Sequence, residues 1–189
     1  MSQFVSKKCQ SCLFYLRSIS RIRNVLTEDA AKTLIHAYVT SRIDYSNSLL
    51  YGIPGIYLAR LQKIQNMAAR IITKTPKFES ITPILKNLHW IPVEYRIKFK
   101  ILCYVYSSVN MSSTGYFNEL FKLYDPTRSL RSSSQQLLTV QRCNTKFGKR
   151  AFQNAGVSLW NELPSHLKNC DTIITFKKHL KTYFYKMLY

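Results

Sequence analysis

The chain has 189 residues, with 28 Lys and Arg against 9 Asp and Glu and a formal net charge of +19. Its 46% hydrophobic and 13% aromatic content supplies enough apolar surface for a folded core, which excludes a disordered polyelectrolyte. So large a surplus of one sign repels itself in a folded chain and points to a polyanionic partner, while no apolar run is long enough to cross a bilayer.

Several broad classes fall away on the same grounds. The cations are spread along the whole chain with no juxtamembrane cluster, so the expected partner is RNA or DNA and not a membrane. The first fifteen residues carry no signal-peptide apolar region. Five cysteines, an odd number without framework spacing, indicate reduced thiols and an intracellular protein, nuclear or cytoplasmic.

In chain order, Val5, Cys9, Cys12, Leu16 and Ile19 recur at 4-3-4-3 spacing and predict an amphipathic helix over 3–22, with Lys7, Lys8, Arg17 and Arg21 off its apolar face. Thr27 is a helix cap, and Glu28 and Asp29 fall in the first turn, where the dipole favours carboxylates. That helix runs through Leu34, Ile35, Tyr38 and Val39, continues or kinks near Arg42, and stops by Gly52-Ile53-Pro54-Gly55. A third helix, about 56–73, gathers Leu58, Leu61, Ile64, Ala68, Ile71 and Ile72 on one face and Arg60, Lys63, Arg70 and Lys74 opposite. A turn follows around Pro76, then a short helix with Thr82 as cap and Pro83 at its first position.

The stretch from Leu88 to Ile101 is the centre of the reading. Trp90 and Pro92 stand at an element start, and apolar residues at 95, 97, 99 and 101 alternate with Arg96, Lys98 and Lys100. Period 2 taken alone implies a strand. Pro92 and the long run without a breaker predict instead a helix from Pro92 to about Asn110, central to the core, its cations reaching water or phosphate on apolar stems. Trp90 is expected to be buried at its entrance.

After a break at Ser112–Gly115, a short apolar helix is expected over 116–124, an exposed Arg- and Ser-rich loop over 128–134 and a short β element around 136–141. No acidic residue lies between Asp125 and Glu162, where Arg128, Arg131, Arg142, Lys146, Lys149 and Arg150 accumulate. Helix returns from Phe147 to Leu163, and Asp171 caps a last one carrying Ile173, Phe176, Leu180, Tyr183, Phe184 and Met187 on one face. The fold class is mainly α, a helical bundle with that one β element, divided into a helical region 1–110 and a basic helical extension 111–189.

Catalytic chemistry finds little purchase. Polymerisation of nucleotides needs paired carboxylates holding divalent metals, and the adjacent acids, Glu28 and Asp29, are already explained by the helix start. No phosphate loop, nucleophile elbow or His-Glu-x-x-His occurs, and no cofactor is implied. Cys9-x-x-Cys12 is half a zinc site without a second half, best explained as core, and His166, Cys170 and His179 do not complete it by spacing. His89 is expected to be packed. Cations interleaved with tyrosines such as Tyr104, Tyr106, Tyr116 and Tyr124 fit phosphate contacts and base stacking, although tyrosines equally serve as core and its rim.

Leu88-His-Trp-Ile-Pro-Val93 followed by Tyr95-Arg-Ile-Lys-Phe-Lys-Ile101 resembles the C-terminal region of LINE-type, jockey-like non-LTR retrotransposon reverse transcriptases. Thr40-Ser-Arg-Ile-Asp-Tyr-Ser-Asn-Ser-Leu-Leu-Tyr-Gly52, Arg60-Leu-Gln-Lys-Ile-Gln-Asn-Met-Ala-Ala-Arg70 and Ile81-Thr-Pro-Ile-Leu85 are similar to the same family. So are Arg128-Ser-Leu-Arg-Ser-Ser133, Ala151-Phe152, Leu159-Trp-Asn-Glu-Leu-Pro164 and Phe176-Lys-Lys-His-Leu-Lys-Thr-Tyr183, in the family's order over nearly the whole chain. Ser46 departs from it, standing where the family often has Cys.

The resemblance implies the thumb and the extension that follows the palm, with the catalytic Asp-Asp palm expected upstream of Met1 and the frame's natural end near Tyr189. It implies a non-catalytic segment of an RNA-directed DNA polymerase that grips template–primer or target nucleic acid, with the upstream palm as a further partner. The alternative is a remnant or co-opted protein-interaction module without polymerase function. On the first reading the phosphate-binding residues are Arg60, Lys63, Arg70, Lys74, Arg96, Lys98, Lys100, Arg128, Arg131, Arg142, Lys146, Lys149 and Arg150, and no residue holds a metal.

Overall fold

The computed structural model describes residues 2–110, 119–125 and 136–189. Among these residues the fold is mainly α. The chain divides into two compact units, Met1–Arg96 with Leu188–Tyr189, and Ile97–Met187. The division falls inside the central helix and not at 110/111, because the second half of that helix supplies Val105 and Tyr106 to the C-terminal core.

In the first unit, α1 (Ser2–Ile22) buries the five residues of its predicted stripe. Thr27 caps α2 (Glu28–Ile35), its hydroxyl accepting from Ala30 N at 3.2 Å, and Glu28 and Asp29 both pair with Lys32. The helix then widens into a π turn over His36–Thr40 before α3 (Ser41–Asp44). The cause is legible in the burial. Ala31, Ile35, Val39 and Ile43 are all buried at a constant spacing of four, which in a regular α-helix would drift about 40° per step and leave the core face. A wider turn takes up part of that drift.

Helix α4 (Gly55–Thr73) packs on α1 and α2 through Leu61, Ile64, Ala68 and Ile72. Two of its C-terminal carbonyls, which lack helical partners, are satisfied by a buried arginine: Arg23 donates to Ile71 O at 2.8 Å and Ile72 O at 2.6 Å, and also to Leu26 O, in the turn after α1, at 2.7 Å. Helix α5 (Ile81–Asn87) begins one residue before the expected Thr82 cap, so Pro83 is the third helical residue and not the first. The position tolerates proline because its N–H would be unpaired there in any case.

The passage from α5 to the central helix is tied down residue by residue. Trp90 N donates to Leu85 O at 2.9 Å, Gln65 donates to Ile91 O at 2.9 Å, and Val93 N donates to Gln62 Oε1 at 2.9 Å. Trp90 is 7% exposed and meets the His36 ring edge-on at 5.7 Å. His89, expected to be packed, is exposed and carries the left-handed backbone of the turn (φ 52°). Helix α6 (Val93–Asn110) starts one residue after Pro92, whose carbonyl accepts from Arg96 N at 3.0 Å.

The second unit is built on three fully buried rings. Tyr106 of α6 stacks on Phe176 at 4.3 Å, and Trp160 lies 6.2 Å from Phe176 and 6.5 Å from Tyr106. Phe176 belongs to α9 (Ile173–Leu188) and Trp160 to α7 (Phe152–Asn161). The helix expected from Phe147 is interrupted: a 3-10 turn, Gly148–Arg150, ends at Ala151 in extended backbone before α7 begins. Gly156 on α7 admits Phe121 and Val105 so closely that a Cβ there would lie 2.8–2.9 Å from them. After Pro164, α8 (Ser165–Lys168) buries Leu167 and the whole of Lys168, whose ammonium donates to Asn161 O at 3.5 Å. Thr172, not Asp171, caps α9, accepting from Thr175 N at 3.1 Å.

The β element of 136–141 is reduced to an isolated antiparallel bridge between Leu138 and Leu123, with Tyr124 N to Leu137 O at 2.8 Å and Thr139 N to Lys122 O at 2.9 Å. The other edge of Leu138 is taken by a side chain: Asn161 accepts from Leu138 N at 2.8 Å and donates to its carbonyl at 3.0 Å. A side-chain amide thus satisfies the backbone where a further strand would sit. Of the helix expected over 116–124, only 119–124 is described. Glu119 and Leu120 are helical and 121–125 is extended around the bridge. The loop expected over 128–134 lies outside the described residues.

Candidate nucleic-acid interface

The cations of α4 lie together as expected. Arg60, Lys63, Arg70 and Lys74 fall within an arc of about 80° opposite the buried stripe. Arg60, Lys63 and Lys74 are exposed. They are not equally available. Arg70 spends its guanidinium on the turn that follows, donating to Pro76 O at 2.5 Å and Glu79 O at 2.6 Å, and Arg60 reaches Ser6 Oγ at 3.1 Å. Among the described residues Lys63 and Lys74 make no such bond, and Lys74 ends the helix in left-handed backbone (φ 54°).

On α6 the three cations separate. Lys98 points about 160–200° away from Arg96 and Lys100 around the helix axis, so they form no single row. Arg96 is not a wet head on an apolar stem. It is engaged in both directions by Asp44, with Nε to Oδ1 at 2.8 Å and Nη2 to Oδ2, and its side chain is only 18% exposed. A forked guanidinium neutralised by a carboxylate offers a phosphate little. The sequence reading of Arg96 as a phosphate ligand is corrected on that ground. Lys100 is exposed, its ammonium 5.3 Å from the Tyr104 ring centroid. With Lys177 it lies near Cys103, whose thiol burial pushes up to about 11 while the two lysines pull it back.

The remaining predicted cations gather on a turn of the second unit. Arg142, Lys146, Lys149 and Arg150 are all exposed, and Phe147 among them is 83% exposed with Arg150 at 5.7 Å from its ring. The turn holds its shape through Gly148. Its N–H donates to Thr145 Oγ1 at 3.0 Å, its carbonyl accepts from Asn154 at 2.8 Å, and a Cβ there would sit 2.1 Å from Cys143 Sγ. Arg128 and Arg131 lie outside the described residues.

Sequence reasoning did not select Lys7, Lys8 and Arg42 as binding residues, nor Lys177, Lys178 and Lys181, which are exposed on α9. The first group faces a cleft that only the tertiary structure assembles. Among the described residues, no group of three or more His, Cys, Asp or Glu is placed to hold a metal ion, and no helix is long and apolar enough to cross a membrane. Cys9 and Cys12 are both buried in the α1 stripe, and burial pushes the Cys12 thiol up to about 11. Cys170 meets His179 Nδ1 at 3.6 Å, but its thiol is raised by burial and by Asp171, the opposite of an activated nucleophile. Comparison with protein-family models, with curated proteins and with solved structures finds no match, so these basic surfaces are read from their own chemistry.

Proposed function

We propose that the chain is a non-catalytic nucleic-acid-binding segment of a retrotransposon reverse transcriptase, a thumb and post-palm extension that grips template–primer or target nucleic acid through phosphates. The observation that carries the binding half is the turn around Gly148. It displays four exposed cations about an exposed phenylalanine, in a stretch without one acidic residue from 126 to 161. Cations there meet phosphate oxygens, and the ring offers a stacking surface that any base satisfies. The exposed cations on α4 and the net charge of +19 support the same chemistry. The family half rests on the resemblance of the motifs.

The absence of catalysis is part of the proposal. Two-metal polymerisation needs convergent carboxylates, whereas Glu28 and Asp29 are held by Lys32 at 2.8 and 3.6 Å and Asp44 is held by Arg96.

The test is a titration of the purified chain with RNA–DNA duplex over a salt series. If roughly 5–8 phosphates are neutralised, log affinity falls with log salt at a slope of about −4 to −7. A slope near zero, or no binding at low salt, would overturn the reading and favour a remnant kept as a protein-interaction module. Primer extension with Mg²⁺ or Mn²⁺ tests the second half, and incorporation above background would overturn it.

A further inference from the structure

We infer that the cleft between the N-terminal half of α1 and the π turn with α3 binds an unpaired nucleotide, its base against Phe4 and Tyr45 and its phosphate on Lys7, Lys8 and Arg42. This rests on the nucleic-acid reading and adds a site to it. The cleft is an open groove of about 520 Å³, room for one small ligand. Phe4, Lys7, Lys8 and Ser11 stand at i, i+3, i+4 and i+7 on α1, beside the stripe buried in the core, and so line one wall together. The facing wall comes from Ala37, Ser41, Arg42 and Tyr45.

Three features fit the wall to a nucleotide and not to an anion alone. Both rings are open to solvent, Tyr45 at 73% and Phe4 at 38% with Lys8 over one side of it, so Tyr45 and the uncovered side of Phe4 are available for stacking. The cations are held in place with donors to spare. Lys8 Nζ donates to Tyr45 O at 2.6 Å and sits 4.8 Å from the Phe4 centroid, leaving two of its three N–H groups. Arg42 donates to Tyr15 OH at 3.1 Å and lies 4.7 Å from the Tyr15 ring, which is itself stacked on Tyr38 at 5.0 Å. The nearby Asp44 carboxylate is paired with Arg96 while still acting on Lys8, so the cleft, with Lys7, Lys8 and Arg42 against one shared carboxylate, keeps a net positive field. The π turn contributes independently. Ser41 Oγ donates back to Ala37 O at 2.5 Å across it, and the widened turn brings Ser41, Arg42 and Tyr45 to the α1 wall. Such turns recur at functional sites.

The experiment uses the full chain and three probes: a short oligouridylate, an abasic phosphodiester strand of equal length, and uridine monophosphate. The parent is expected to prefer the oligouridylate to the abasic strand by about tenfold, the order expected for one base stacked on an aromatic ring. Tyr45→Leu and Phe4→Leu should each remove most of that preference, and Tyr45→Phe should keep it. Binding of the duplex should stay at the parent's level in all three variants. Uridine monophosphate binding that responds to the same variants marks a free nucleotide as sufficient, and its absence marks a strand as the source of the base. Either result supports the cleft. Leucine variants that keep the preference overturn this inference alone, and a parent that binds both strands equally overturns it together with the stacking role of Phe147 while leaving phosphate binding in place. A parent that binds no probe and no duplex overturns the proposed function with it.

Discussion

Trp90→Ala is the perturbation that weighs most heavily on the placement of the central passage. The side chain is 7% exposed, and its backbone N–H is tied to Leu85 O. The neighbouring Ile91 carbonyl and Val93 amide are strapped to α4 by Gln65 and Gln62, so the wall has little freedom to collapse into the space the indole leaves. Truncating a buried Trp costs about 3–5 kcal/mol, set mainly by how poorly the cavity closes, and here the upper half of that range is expected. Against a typical total of about 5–15 kcal/mol this is a large share. For a unit of this size it corresponds to a fall in Tm of about 15 °C or more. Trp90→Phe retains a ring near His36 and should cost roughly 1–2 kcal/mol. Thermal and urea denaturation followed by circular dichroism measure both. A Trp90→Ala protein that melts within a few degrees of the parent would refute the central role given to this passage.

Lys74→Gly should stabilise the first unit by about 0.5–1 kcal/mol, because glycine takes the left-handed backbone at the end of α4 without strain, and should weaken duplex binding by removing an exposed cation. Urea midpoints and a duplex titration on one variant separate the two effects. Arg23→Met should cost about 2–4 kcal/mol, since three carbonyls at the end of α4 and in its neighbouring turn lose a charged donor, and a midpoint unchanged from the parent would contradict that role. Burial raises the thiols of Cys9, Cys12 and Cys103 in the folded chain, Cys12 and Cys103 to about 11, so the folded state holds protons that the unfolded state releases first. Their contribution to stability is therefore complete below about pH 8.5 and is lost as pH rises towards 11, and urea midpoints measured across that window should fall. Gly148→Ala should disturb the turn that displays Phe147 and lower duplex affinity with the Trp160 core intact. Near-ultraviolet circular dichroism checks the core, and unchanged affinity would show that the turn's shape is irrelevant to binding.

Local rules written in the amino-acid order determined the helices themselves. The 4-3-4-3 stripe of α1, the Thr27 cap, the apolar face of α4 and the burial of Trp90 each depend on residues within a few turns of one another, where spacing and capping chemistry decide the outcome. The starts of α5 and α9 differ from the expected Thr82 and Asp171 caps by one or two residues, because α5 begins with no capping side chain and Thr172 is the acceptor at α9. What the tertiary structure alone decided was the fate of individual charges and polar edges. Arg96 reads from the sequence as one of three equivalent cations. Its pairing with Asp44 depends on a chain separation of 52 residues that no local rule encodes. Arg23 likewise becomes a buried cap for a helix 48 residues away. The strand expected at 136–141 shrank to one bridge because Asn161 supplied the hydrogen bonds a neighbouring strand would have made. The cleft of Phe4, Lys8, Arg42 and Tyr45 exists because a π turn, set by the core spacing of Val39 and Ile43, brings one wall to the other. Short-range periodicity determines which face of a helix is buried, and long-range packing determines which charges on the other face stay free.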